Sequence, residues 1–379
     1  MSMPPPPPGP AEPDRSAHRF PCEACGAAMR FDPGRDMLIC DHCGHTTPLA
    51  TATAPAGPWG VQEAIRELDF EAAIRDQLDT AEMEVSRVFP CTSCGAEVEF
   101  EPGIHAAQCP FCATPIVGDP GAHRHIKPRA LVPFAISESE ARAAMHKWLG
   151  RLWFAPSGLA QYARKGRRME GIYIPYWTYD ARTRSAYSGE RGRIRVETRR
   201  NGKGETETVQ HVDWVPVSGR VARNFDDVLV AGSDSLPAPM MQGLPPWDLS
   251  RLEPYRADYL AGLRAEVYRI GLEDGFADAR RQMDAMILRD VRLDIGGDLQ
   301  RVHRVRTEIG GVTFKHILLP IWVGVYRYRG EAYRILVNGQ SGRVQGARPW
   351  SVWKIAVAVI LGLIVAGTIG FIAAKQQGM

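Results

Sequence analysis

The spacing of apolar positions divides the chain into zones of different period. Ser137 stands three residues before Glu140, ahead of an Ala-rich stretch to Leu149. That is the spacing of a capping box, and it predicts a helix. A second helix is predicted over roughly 273–293, where Phe276, Met283, Ile287 and Val291 share one face. Val61, Ile65, Leu68, Ile74, Leu78, Val85 and Val88 also fall near helical spacing, so a linker helix is expected over 60–88. From Ile172 to about Val217 the pattern changes to aromatic and β-branched runs, with turn signals at Ser188-Gly189 and Asn201-Gly202. Strands resume after the second helix, separated by Gly310-Gly311, Arg329-Gly330 and Asn338-Gly339. The segments IPYW (174–177) and LPIW (319–322) share apolar-Pro-x-Trp, each after a helix. The body expected over 130–348 is therefore antiparallel α+β, read as a weakly duplicated helix-then-strands unit.

The last zone is apolar throughout. Residues 355–374 read IAVAVILGLIVAGTIGFIAA, twenty residues without a charge. At about 1.5 Å per residue this crosses a hydrocarbon core of ~30 Å. Trp350, Trp353 and Lys354 flank it on one side and Lys375 on the other, as interface anchors do. The opening Met1, Ser2, Met3 and proline run offers no signal peptide. The expectation is a single-pass tail anchor in the cytoplasmic (inner) membrane with the bulk of the chain in the cytosol. Arg343, Arg348 and Lys354 before the span agree with positive-inside placement. Ala358, Gly362, Ala366, Gly370 and Ala374 recur at every fourth position, a small-residue face suited to self-association.

Cysteine changes the picture at the other end. Beyond a Pro-rich tail at 1–19, expected to be disordered, residues 20–43 and 89–112 match at 11 of 24 positions. Each copy carries C-x2-C, fourteen residues, then C-x2-C. Two knuckles at that spacing bring four thiolates to tetrahedral distance around zinc. Cys22, Cys25, Cys40 and Cys43 form one expected site, and Cys91, Cys94, Cys109 and Cys112 the other. Closed four-thiolate shells make both zinc ions structural. The ribbons are expected over 20–48 and 89–118.

Length and charge then narrow the function. The chain has 379 residues, room for two or three domains. With 46 basic and 43 acidic residues its net charge is +3, which gives no global case for nucleic-acid binding. The ribbons are acidic: 20–48 carries −2, and 89–117 carries Glu97, Glu99 and Glu101 with no Lys or Arg. Phosphate contact needs basic groups, so both read as protein-contact or scaffold modules. The basic stretch lies elsewhere: 163–207 holds twelve Lys or Arg against six acids. Within it Arg191, Arg193 and Arg195 alternate on one strand face, a candidate contact for anionic lipid headgroups. No phosphate loop, nucleophile elbow, H-E-x-x-H or dinucleotide fingerprint is present, and no catalytic residue is assigned.

These features together carry a resemblance. On the paired ribbons, YIPYWTYDARTRSAYSGERG (173–192), NFDDVLV (224–230) and LLPIWVGVYRYRGEAYRILVNGQSGRVQG (318–346), the chain resembles bacterial membrane-anchored TFIIB-type zinc ribbon-containing proteins. Some of these carry primosomal or helicase-like labels. They are often encoded near SPFH (band 7) and phage-shock-type proteins. The resemblance implies recruitment of such partners at the membrane, under envelope stress. The expected function is a non-enzymatic tail-anchored adaptor. The rivals are a nucleic-acid-associated zinc-ribbon protein and an enzyme built on the α+β body.

Overall fold

A computed structural model describes residues 20–49, 65–99, 106–112, 114–117, 121–156, 159, 169–200, 206–329 and 331–377. The Pro-rich tail at 1–19 and the start of the expected linker, 60–64, lie outside the described residues.

Ribbon 1 is a three-stranded sheet of β1 (Met29–Asp32), β2 (Met37–Cys40) and β3 (Thr46–Pro48). The stretch that follows is not the long helix its spacing predicts. It forms β4 (Leu68–Asp69), a five-residue helix α1 (Phe70–Ile74), a 3-10 turn (Thr80–Glu82) and then β5 (Met83–Pro90). Asp69 caps α1 by accepting from the Ala72 amide at 2.7 Å, and Asp76 at φ +55° turns the chain out of it. Val85 and Val88 face a strand partner instead, a tertiary pairing that overrides local periodicity. Ribbon 2 continues with β6 (Glu97–Glu99), β7 (Ala106–Gln108), β8 (Pro115–Val117) and β9 (Gly121–Ile126). Its strands form a β6-β5-β9 sheet and a β7-β8 hairpin.

The body is built on long strands. After β10 (Ala130–Leu131), helix α2 (Glu138–Gly150) begins at Ser137, which closes the predicted capping box with Glu140. β11 (Glu170–Arg200) and β12 (Thr206–Ala231) form a hairpin whose first strand has 31 residues, about 100 Å if straight. Short β13 (Glu253–Pro254) and β14 (Arg264–Ala265) lead to a helix at Leu272–Ile295. β15 (Leu299–Tyr328), β16 (Glu331–Asn338) and β17 (Val344–Gly346) follow, and then a terminal helix, Val352–Gln377. β15 pairs antiparallel with β11, and its other edge is covered piecewise by β4, β10 and β16. IPYW and LPIW lie side by side in this pairing, Ile174 opposite Leu319 and Pro175 opposite Leu318.

Two sequence signals read as turns are bulges inside continuous strands. Ser188-Gly189 sits within β11 at a register shift against β15. A Cβ on Gly189 would stand 2.3 Å from the Arg301 carbonyl oxygen, so the bare backbone permits the approach. Gly311, at φ +62°, lies within β15.

The long helix packs on one face of the shaft of this sheet. Ala279, Met283, Ile287, Val291 and Ile295 recur every fourth residue, all at most 2% exposed, against Trp177, Tyr179, Tyr187 and Phe225. Gly275 lets its first turn close on the strand, since a Cβ there would stand 2.5 Å from the Tyr179 hydroxyl. Trp177 Nε1 donates to the Ile270 carbonyl at 2.9 Å, and the Tyr179 hydroxyl to that of Leu272 at 2.7 Å.

At the root of the sheet the two ribbons take opposite faces. Tyr173, Leu318 and Trp322 pack with Cys22, Phe31 and Cys40 of ribbon 1 and with α2. Ile172, Ile174, Ile317, Leu319 and Ile321, the alternate positions, pack with Phe89, Val98 and Phe111 of ribbon 2. Burying side chains of this size stabilises by about 1.5–3 kcal/mol each. The Phe31 amide donates to Ala261 O at 2.9 Å and the Gly34 amide to Phe134 O at 3.0 Å. The predicted Pro33-Gly34 turn is therefore a docking point: Gly34 has φ +80°, and a Cβ would meet Ala135 O at 2.9 Å.

Candidate metal centres and the exposed arginine face

Each Cys quartet converges as its spacing predicts. In ribbon 1, Cys22 Sγ lies 3.5 Å from Cys43 Sγ, and Cys25 Sγ 3.6 Å from Cys40 Sγ. In ribbon 2, Cys91–Cys112 and Cys94–Cys109 repeat those distances, 3.5 and 3.6 Å. Ligand atoms within each quartet all lie within 4.8 Å of one another. A tetrahedral ion with metal–sulfur bonds of about 2.3 Å requires sulfur–sulfur edges of about 3.8 Å, so the thiols fit such a metal. The knuckles are fixed by backbone. Gly26, Gly44 and Gly95, at φ +74°, +74° and +76°, turn their amides onto the carbonyls of Cys22, Cys40 and Cys91 at 2.7–2.9 Å.

The thiols cannot share negative charge evenly without a cation. Amides of Cys43 and His42 hold Cys40 down at about 6. Cys43 receives an amide from His45, yet its Cys25 neighbour and burial push it up to about 12. A divalent ion removes this conflict by neutralising two thiolates at once. Cys22, Cys40, Cys91 and Cys109 are buried and belong to the packing at the sheet root, so each metal would tie its module to the body.

Arg191, Arg193 and Arg195 do share a strand face, the one that carries the long helix. Arg193 and Arg195 are exposed there, and Arg191 is half-buried. Arg191 Nε caps that helix by donating to the Ile295 carbonyl, and Arg195 lies 3.0 Å from Asp213.

The opposite face of the shaft is where unpaired charge collects. Arg182 and Arg184 on β11, Arg220 on β12, and Arg304 and Arg306 on β15 are all exposed. Register places Ala186 between Arg220 and Arg306, and Ser188 beside Arg304. Glu308, opposite Arg184, is the acid within this set. None of the five arginines forms an ion pair among the described residues. Arg182, Arg184, Asn224 and Glu308 line a shallow groove of 460 Å³. Further along, Arg301 stacks 3.9 Å above the Trp214 ring beside exposed Ile194 and Val196. These residues come from three segments far apart in sequence, and only the strand register brings them together.

Two buried charge clusters also escaped the sequence reading. Lys315, 8% exposed, puts Nζ 2.8 Å from Asp227, 3.0 Å from Glu67 and 3.6 Å from Asp180. Asp180, Asp226 and Asp227 gather as a cation site would, and the Lys315 ammonium lies beside two of them. Burial, with Glu67 beside it, raises Asp180 to about 7. Glu266, 2% exposed, accepts at Oε1 from Ser233 at 2.7 Å and from Ser235, while Oε2 has no partner. Burial raises its pKa to about 7. Its residue bridges Val98 of ribbon 2, so this carboxyl lies at the seam between module and sheet.

A cleft of 970 Å³ separates ribbon 1 from the body. Arg30, Asp41, Glu138, Glu170 and Arg264 line it, largely satisfied by one another: Arg30–Asp41 at 2.8 Å and Arg264–Glu170 at 3.3 Å. The terminal helix is long and apolar enough to cross a membrane over Val352–Gly370, and no residue of that window is buried.

No family model matches the chain, and no solved structure matches it. Over 233 residues it is 26% identical to an uncharacterized protein, YdjG, of Bacillus subtilis (strain 168), covering 61% of this chain and 67% of that relative.

Proposed function

We propose that the chain is a non-enzymatic, tail-anchored adaptor that holds a protein partner at the cytoplasmic face of the inner membrane. The observation that carries this reading is the bare arginine face on a shaft braced at its root by two metal modules. Both four-thiolate shells are closed, which suits structural zinc and leaves no coordination position for a substrate. The terminal helix supplies the tether. The shaft supplies the docking surface, with arginines and a stacked Trp beside apolar residues, the composition of interface hot spots. The zinc ribbons then serve recruitment indirectly, by fixing the shaft to its base. Partners of SPFH or phage-shock type fit this scheme. The small-residue face at Ala358, Gly362 and Ala366 supports self-association of the tether. A duplicated helix–hairpin ancestry accounts for IPYW and LPIW meeting across one strand pair.

The arginine face favours one second reading, contact with a nucleic-acid backbone. A single experiment separates them. Full-length protein and an Arg182→Glu/Arg184→Glu/Arg306→Glu variant are purified from mild detergent, with bound protein and nucleic acid quantified. A near-stoichiometric SPFH or phage-shock-type protein, lost in the variant at unchanged metal content, is the expected result. Nuclease-sensitive nucleic acid without such a protein overturns the adaptor reading.

A further inference from the structure

The turn after α2 exposes a tryptophan next to the entry of the terminal helix. Trp153 is 79% exposed, although its neighbours are anchored: Ala155 is 3% exposed and Leu152 packs against the core at the sheet root. The turn is bonded directly to the helix entry. The Ser351 amide donates to the Phe154 carbonyl at 2.8 Å, and Lys354 Nζ to the Ala155 carbonyl at 2.8 Å. The Phe154 and Trp350 rings lie 6.4 Å apart, and the Arg348 guanidinium sits 4.5 Å over Trp350. Trp350 and Trp353 are themselves 56% and 78% exposed. Three exposed indoles, with Arg151 and Arg348, thus lie on the two segments that meet where the apolar segment begins.

We infer that the turn 151–155 is a second, peripheral membrane contact, with Trp153 seated beside Trp350 and Trp353 at the headgroup level of the bilayer. The inference rests on the reading that Val352–Gly370 crosses that bilayer. The occupant follows from continuity: a turn hydrogen-bonded to the first turn of a spanning helix occupies the same depth as that turn. Indole suits this depth because its ring is apolar and its N–H is polar, which is why Trp concentrates at membrane interfaces. Guanidinium groups beside it meet lipid phosphates. The consequence is orientation. A body held only by one helix swivels about it, whereas a second contact set off from the helix axis fixes which side of the sheet faces the membrane.

The test uses the full chain in vesicles of phosphatidylcholine and phosphatidylglycerol, the phosphatidylcholine brominated near the headgroup end of its acyl chains. Bromine quenches only indoles at that depth, and the protein has nine Trp. If three of them sit there, Trp153→Phe lowers the quenchable emission by about a third, as does Trp353→Phe. Insertion is read separately by resistance to alkaline carbonate. Equal quenching of wild type and Trp153→Phe in carbonate-resistant vesicles overturns the inference alone. Release by carbonate overturns the spanning reading and the inference with it.

Discussion

Glu266 gives the most quantitative prediction. Its carboxyl is fully buried, one oxygen is held by Ser233 and Ser235, and the other has no partner. Arg269, which faces it, is engaged by Asp234 at 2.7 Å. Burial raises the folded pKa from 4.5 to about 7. The unfolded chain gives up this proton near 4.5, so from there to about 7 the folded state binds the extra proton. Stability therefore falls as pH rises through that window and levels off above it. Between pH 5.5 and 8 the loss is about 2 kcal/mol, near 1.4 kcal/mol per pH unit while the difference lasts. For a body of this size that is a shift of about 5 °C in Tm. Glu266→Gln keeps an oxygen for the serine hydroxyls and removes the titration. Its amide nitrogen faces the unpartnered side at a cost of about 1–2 kcal/mol, which does not vary with pH. Thermal unfolding of both proteins in detergent, at several pH values, reads the difference directly, because metal release affects both alike. The Tm of wild type minus that of Glu266→Gln should decline by about 5 °C from pH 5.5 to 8. Parallel profiles would refute the reasoning.

Other perturbations address the remaining features. Lys315→Met leaves Glu67, Asp180 and Asp227 together without their cation and should destabilise by about 3–5 kcal/mol, measured by urea unfolding. Cys91→Ser with Cys94→Ser should lower bound metal from two ions per chain to one by elemental analysis, with ribbon 1 still loaded. Deleting 351–379 should move the protein to the soluble fraction, and continued sedimentation with membranes would show that another surface dominates the anchoring. Gly189→Ala forces Cβ against the Arg301 carbonyl and should cost about 1–3 kcal/mol, read as increased protease sensitivity of the shaft.

What the sequence discloses here is what it encodes locally. Cys pairs at fixed spacing, the Ser137–Glu140 box and the fourfold repeat of Met283, Ile287 and Val291 each specify a structure within one segment, and each is found. The failures are places where a distant partner decides. Val85 and Val88 keep a helical spacing but lie in β5, because β9 supplies the hydrogen bonds. Ser188-Gly189 and Gly310-Gly311 look like turns, yet pairing with the neighbouring strands carries the chain through them as bulges. The arginine face is invisible in any single segment, since Arg184, Arg220 and Arg306 are joined only through the β12-β11-β15 register. Arg191 was visible, but the Ile295 carbonyl that engages it lies 104 residues away. Asn338 shows both sides of this. Its VNGQSG context marks a turn, and its side chain does accept from the Gln340 and Ser341 amides, but its other bond reaches Leu244 across the fold.

The placement of the ribbons on opposite faces of one sheet root also dictates an order of assembly. Each Cys quartet spans 22 residues, so it is able to hold a metal ion as soon as its second Cys pair has been synthesised. The surface it must rest on comes much later. Leu318 and Trp322 beneath ribbon 1, and Ile317, Leu319 and Ile321 beneath ribbon 2, all belong to β15. The Lys315–Glu67 pair spans 248 residues. Loop closure over such distances is slow. During synthesis the chain therefore passes through a stage in which both Cys modules are complete while the β15 part of the surface under Phe31, Phe89 and Phe111 is still missing. Tyr173, Ile172 and Ile174 of β11 supply part of that surface earlier, and β15 completes it under both ribbons, which makes it the strand that joins two independent modules into one body.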